Sequence, residues 1–96
     1  MNKKYNLPEL CKYRELSSGE QIAVHQMLIS YVRENYLYNI VLPNNAKPFN
    51  LVKLVSIHFE NEDGAIWINF KTIIGESFSL PIDLISRIEI SGQEEI

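Results

Sequence analysis

A chain of 96 residues with a net charge of −3 is long enough for one domain, because domains rarely split below about 100 residues. Its 46% apolar and 22% charged residues exclude intrinsic disorder. No apolar run approaches the roughly 18 residues of a membrane-spanning helix, so we expect no membrane partner. Cys11 is the only cysteine and cannot form an internal disulfide, and no signal peptide is visible. We therefore expect a cytoplasmic protein.

Helices are predicted in the first part of the chain, over about residues 6–37. Asn6 or Leu7 is placed to cap a short helix that has Pro8 in its first turn and ends near Leu16. The segment from Ser17 to Glu20 has the spacing of a capping box and begins a longer helix that extends to about residue 36. The apolar positions of this helix have helical spacing and predict its core-facing stripe: Val24, Met27, Leu28, Tyr31 and Val32. Ile22 and Ile29 lie off the stripe, which predicts that a second face is also covered.

Residues 37–42 form either a short strand or a continuation of the helix, and the prolines and asparagines after them predict a loop to about residue 50. An antiparallel sheet is predicted over about residues 51–91. The apolar parity changes within the first strand, which predicts a bulge near residues 54–55. Asp63-Gly64 then predicts a hairpin. A two-residue turn would pair Phe59 with Ile68, and a four-residue turn would shift the partners by two without changing their faces.

The rest of the sheet is predicted from its turn residues. Gly75 marks the turn into a third strand, and Pro81 marks that strand's end or an edge, since proline donates no ladder hydrogen bond. A single tight turn follows over residues 83–86, then a short last strand over residues 87–90, and residues 92–96 form an acidic tail. The prediction is therefore a single α+β domain, with helices packed on a small, strongly bent antiparallel sheet.

The order of elements over residues 51–91 resembles that of SH3-like and Sm-like small barrels, which implies a partial barrel. The segment from Leu80 to Ile88 is similar to the end of bacterial Rho-inhibitor proteins, and the order of Pro8, Cys11, Tyr13 and Leu16 resembles their beginning. The capped helix and the Pro/Asn loop have no counterpart in that family, and the glycine and Asp/Asn signatures of Sm-like RNA binders are missing. The resemblance is thus one of fold and carries no function.

Trp67 is the most informative residue for function. Strand alternation places Ile66 and Ile68 on one face and Trp67 on the other, together with His58, Glu60 and Asn69. Either the long helix or the N-terminal segment can cover that face, and cover by the helix is the commoner outcome in a domain this small. Alternatively, an exposed tryptophan in a polar frame is typical of an interface anchor, which predicts a protein partner or a homodimer.

A second candidate surface is basic. Residues 1–16 hold four basic side chains against two acidic ones, whereas the remainder holds five basic and ten acidic ones. Basic and aromatic side chains together can bind single-stranded nucleic acid by phosphate neutralisation and base stacking, although the net acidity disfavours it. The candidate contacts are Lys3, Lys4, Lys12, Arg14, Arg33, Tyr36 and Tyr38.

Catalytic and metal-binding patterns are weak. His58, Glu60 and Glu62 share a strand face, but successive side chains there are about 6.6 to 6.8 Å apart, which is wide for one ion. Cys11 needs a base such as His25 or His58 to act as a nucleophile, and packing is the default for a free cysteine. The four glycines are isolated, so no phosphate loop exists.

Three function classes therefore remain. The leading prediction is a non-catalytic protein-binding module, without catalytic residues, metal or cofactor, that uses the face bearing Trp67. The alternatives are a small-barrel nucleic-acid binder and a small enzyme of unknown class.

Overall fold

The structure is a computed structural model that describes residues 9–34, 36–60 and 64–93. Helical elements come first and five strands follow, with a second short helix before the last strand. The elements are a 3₁₀ helix (Leu10–Glu15), α1 (Ser18–Arg33), β1 (Tyr36–Val41), β2 (Phe49–Phe59), β3 (Ile66–Thr72), β4 (Ser77–Pro81), a second 3₁₀ helix (Ile82–Leu84) and β5 (Arg87–Gln93). The predicted α+β class is confirmed. The predicted first helix is a 3₁₀ helix, and its proposed cap at residues 6–8 lies outside the described residues.

α1 begins at the predicted capping box. The Ser17 hydroxyl accepts a hydrogen bond from the backbone N–H of Glu20 at 3.3 Å, and the Glu20 carboxylate accepts one from the backbone N–H of Ser17 at 3.0 Å. These reciprocal bonds satisfy two N–H groups that have no partner within the helix. The helix ends at Arg33, three residues before the predicted end, because Tyr36 already begins β1.

The predicted core stripe of α1 is confirmed. Val24 and Leu28 are buried, while Met27, Tyr31 and Val32 are half-buried and pack against the core. The prediction that the second face is also covered is wrong. Ile22 is 56% exposed and Ile29 is 47% exposed, because α1 packs on the core through the face that bears Val24 and Leu28.

The sheet is antiparallel with the strand order β4-β3-β2-β1-β5. Residues 36–41 thus belong to the sheet, which begins some fifteen residues earlier than predicted, and β1 is a strand between β2 and β5. Pro81 ends the edge strand β4, as predicted. β5 continues to Gln93 and takes up part of the predicted acidic tail, whose last three residues lie outside the described ones.

The predicted bulge lies in β2. Leu54 pairs with Phe70 and Ser56 pairs with Asn69, so Val55 is the extra residue. The hairpin has the four-residue register, since Phe59 pairs with Ile66 and Ile57 with Ile68. The faces are those predicted, and of the turn itself only Gly64, with a φ of 71°, lies within the described residues.

The sheet curls on itself, and the backbone of β2 supplies a cause. Leu51 has a φ of 58° at a second register shift, where its N–H donates to Oδ1 of Asn39 at 3.1 Å. Two irregularities in one strand increase its bend and twist. The rings of Phe49 in β2 and Phe78 in β4 are consequently 4.7 Å apart, although β3 lies between these strands.

The core lies on the concave side of this sheet. The inward side chains of β3 are Ile66, Ile68 and Phe70, and all three are buried. α1 and the first 3₁₀ helix contribute Val24, Leu28, Leu10 and Tyr13 to the same cluster. α1 and the first 3₁₀ helix therefore cover the inner, concave face of the sheet. Within the described residues no helix has the length and apolarity to cross a membrane.

Candidate protein-binding face

The convex side of β2, β3 and β4 carries side chains in three cross-strand rows, which we call the outer face. Strand alternation forms it, because each residue that follows an inward core residue of β3 points outward. Its rows are His58–Trp67–Pro81, Ser56–Asn69–Ser79 and Lys53–Lys71–Ser77. The predicted residues His58, Trp67 and Asn69 thus lie together on one surface.

Trp67 lies at the centre of its row with 37% of its surface exposed. Its chain neighbours Ile66 and Ile68 are buried in the core that α1 also joins. The expectation that the long helix covers Trp67 is therefore wrong, because α1 packs on the opposite face of the sheet. Across the strands Trp67 pairs with His58 of β2 and with Pro81 of β4.

Asn69 is held by hydrogen bonds from both neighbouring strands. Its Nδ2 donates to Oγ of Ser56 at 2.8 Å, and its Oδ1 accepts from Oγ of Ser79 at 2.5 Å. This middle row is ordered before any partner binds, so a contact to it costs little side-chain entropy. Sequence reasoning missed both serines, since their places depend on the bulge at Val55 and on the register of β4.

His58 and Glu60 close one end of the outer face. Nε2 of His58 lies 3.3 Å from Oε2 of Glu60, and both side chains are exposed. An exposed pair of this kind contributes at most about 1 kcal/mol to stability. Glu62, the third member of the possible metal set, lies outside the described residues, and within them no group of three metal-ligating side chains is found.

The basic candidate surface includes one aromatic residue that is not accessible. Tyr38 is fully buried, and its ring stacks on Tyr31 with centroids 4.6 Å apart, so it cannot stack on a base in this conformation. Tyr36 is half-buried and packs edge-on against Tyr38. Burial, together with smaller effects of the nearby Tyr31 and Glu34, raises the pKa of Tyr38 to about 12.

The other members of that surface belong to separate elements. Arg14 in the first 3₁₀ helix lies 3.3 Å from Asp83 in the second one, and Arg33 ends α1. Lys12 is exposed, while Lys3 and Lys4 lie outside the described residues. The described members thus lie on the first 3₁₀ helix, at the end of α1 and in β1.

Cys11 and His25 have contacts that do not resemble a catalytic pair. Sγ of Cys11 donates to Oε1 of Glu9 at 3.7 Å, and burial together with the charge of Glu9 raises the pKa of the thiol. A raised pKa disfavours the nucleophilic thiolate. His25 is hydrogen-bonded through Nε2 to the hydroxyl of Tyr13 and lies against the ring of Phe59, with centroids 5.1 Å apart.

Comparisons of the chain with protein-family models, with curated proteins and with solved structures gave no significant match.

Proposed function

We propose that this protein is a non-catalytic protein-binding module whose recognition surface is centred on Trp67. The observation that carries the proposal is the partial exposure of Trp67 on a face that no described helix packs against. Tryptophan is enriched among residues that dominate binding energy, because it buries a large area while few torsions become ordered. The prepared polar row beside it supplies hydrogen-bonding groups next to this anchor.

The charges at the two ends of the outer face favour one orientation of the partner. Lys53 and Lys71 lie at one end, and Glu60 lies beside His58 at the other. Like potentials facing each other across an interface cost free energy, so a partner with acidic groups toward the lysine end is favoured. The raised pKa of Cys11 supports a binding role over a catalytic one.

The size of the outer face limits the strength of such a contact. Strands about 4.8 Å apart and rows about 6.8 Å apart give a patch of roughly 10 by 14 Å between the outermost Cα atoms. A standard interface buries about 800 Å² on each partner. The outer face is therefore the centre of a contact that extends over its rim, or the whole of a weak, transient one.

The proposal also includes a partial-barrel shape of the sheet and a cytoplasmic location. The short distance between Phe49 and Phe78 supports an SH3-like or Sm-like partial barrel, since such a barrel brings alternate strands together. A single cysteine without a described disulfide partner is in keeping with the cytoplasm.

A site-specific photo-crosslinker placed at Ser79, next to Trp67 on the outer face, tests the proposal in the cells of origin. We expect a discrete crosslinked species with Ser79 and none with the crosslinker at Lys47, an exposed loop position. Trp67→Ala is expected to abolish the species, whereas Ile74→Ala, which removes an equally apolar exposed side chain from the β3–β4 turn, is expected to keep it.

The size of the crosslinked species distinguishes a different protein from a second copy of this chain. Failure of Ser79 to crosslink, or a species unaffected by Trp67→Ala, would contradict the proposal.

A further inference from the structure

One end of the outer face combines an aromatic ring with a carboxylate. Two adjacent cross-strand pairs meet there. Trp67 of β3 pairs with His58 of β2, and in the next pair the backbone N–H of Glu60 donates to the carbonyl oxygen of Ala65 at 2.8 Å. Residues two apart along a strand share a face, so alternation directs all four side chains outward.

One ligand group can reach both the indole and the carboxylate. Trp67 and Glu60 are diagonal neighbours in this group of four, and such neighbours on a sheet are about 7–8 Å apart, within reach of a long side chain. The fourth residue, Ala65, has only a methyl group, so it takes up little of the space beside the indole. Trp67 is 37% exposed, and within the described residues no other aromatic ring stacks on it.

The carboxylate of Glu60 is accessible to a partner. Its Oε2 lies 3.3 Å from Nε2 of His58, and both side chains are exposed. Exposed pairs of this kind contribute little to stability, so Glu60 can exchange His58 for a group of the partner at little cost in free energy. Within the described part of the chain no lysine or arginine pairs with Glu60.

From these features we propose that this end of the outer face binds an arginine side chain of the partner protein, with its guanidinium stacked on Trp67 and hydrogen-bonded to the carboxylate of Glu60. Arginine suits both groups better than lysine does. Its planar guanidinium stacks on an aromatic face and keeps N–H donors at its edge for two parallel bonds to a carboxylate. The inference rests on the proposed function and names the chemical group that Trp67 recognises.

The opposite end of the outer face favours the same placement of the arginine. Lys71 is exposed and lies four residues after Trp67 on the same face, so about 13 Å separates their Cα atoms. A cationic group is repelled by Lys71 and attracted by Glu60, which favours its binding at the Trp67 end. Acidic groups of the partner then face the lysine end, in the orientation proposed above.

The crosslinking assay at Ser79 tests this contact separately from the proposed function. Glu60→Gln keeps the shape of the side chain and removes its charge, and it is expected to reduce the yield of the crosslinked species by roughly tenfold. Glu15→Gln is the matched control, an exposed acid on the first 3₁₀ helix, and is expected to leave the yield unchanged. A species that requires Trp67 but not Glu60 would overturn the arginine contact and leave the proposed function standing. Absence of any species would contradict both.

Peptides selected from a random linear library on phage, with the full-length protein as bait, identify the recognised group directly. We expect the enriched peptides to share an arginine, and lysine in its place is expected to weaken binding several-fold. Glutamine in place of this arginine and Glu60→Gln are each expected to weaken binding roughly tenfold.

The two changes together are expected to weaken binding little more than either one alone, because they remove the same contact. Circular dichroism of each variant confirms that it is folded. Failure to enrich peptides with arginine, or losses that are independent of each other in the combined experiment, would overturn the inference.

Discussion

The two faces of β3 differ in burial, although they alternate along the same seven residues. Ile66, Ile68 and Phe70 are buried against both helices, whereas Trp67 and Lys71 on the other side are open to solvent. An apolar side chain thus has a different role on each face: inside it stabilises the fold, and outside it is available for recognition. The described helices pack on the inner face, which leaves Trp67 partly exposed.

Phe70→Ala and Trp67→Ala give the sharpest comparison of the two faces. Truncation of a buried phenylalanine is expected to lower the free energy of unfolding by about 3–5 kcal/mol, because it leaves a cavity in the core. Trp67→Ala is expected to cost less than about 1.5 kcal/mol, since no cavity forms. Urea unfolding followed by circular dichroism measures both without using the indole signal. Equal losses for the two variants would contradict the distinction between the faces.

Tyr38→Phe tests how much the buried hydroxyl of Tyr38 and its hydrogen bond contribute to the free energy of unfolding. Its hydroxyl donates to the backbone carbonyl of Tyr31 at 3.3 Å, so Tyr38→Phe is expected to cost about 1 kcal/mol. The pKa of Tyr38 is raised from 10 to about 12, so between these values the folded state binds more protons than the unfolded state. The stabilising contribution of Tyr38 is therefore expected to be fully present below pH 10 and to be lost as pH rises through 12.

The variant Tyr38→Phe serves as the control for this pH dependence. It lacks the titrating hydroxyl, so its stability is expected to fall less steeply above pH 10 than that of the wild type. Identical alkaline slopes in urea unfolding would show that Tyr38 does not cause the loss.

The capping box of α1 tests how much the N-terminal cap of this helix, which covers the inner face of the sheet, contributes to stability. Ser17→Ala is expected to lower the free energy of unfolding by about 1 kcal/mol, because the backbone N–H of Glu20 loses the hydroxyl that accepts its hydrogen bond. Ser18→Ala, one residue further and inside the first turn, is the matched control and is expected to have almost no effect. Equal costs for both serines in thermal unfolding would contradict this account of the cap.

Asn69→Ala is expected to have the smallest effect on stability, about 0.5 kcal/mol or less, because its hydrogen bonds lie at the solvent-facing surface. The same change is expected to weaken partner binding measurably, since Asn69 belongs to the prepared row beside Trp67. A stability loss above about 2 kcal/mol would show that this row holds the sheet together and is not primarily a binding element.

Features that depend on short chain segments were predictable from the sequence. The capping box at Ser17, the bulge at Val55 and the placement of Trp67 opposite Ile66 and Ile68 follow from spacing and alternation over a few residues. The exposure of Ile29 was not predictable, because periodicity shows which helix positions are apolar but not which faces meet another element.

Features of the candidate sites that depend on distant segments escaped prediction. The sequence left a strand or a helix open for residues 37–42, and only the pairing of residues 36–41 with β5 and β2 decides for the strand. Ser56 and Ser79 approach Asn69 only through the register of three strands.

The most direct test of the open outer face is quenching of tryptophan fluorescence by acrylamide and iodide, with light scattering on the same sample. Trp67 is the only tryptophan, so the signal has a single source. The account predicts a monomer whose emission is red-shifted and readily quenched. Blue-shifted, protected emission from a monomer would contradict it, because the indole would then be covered within its own chain.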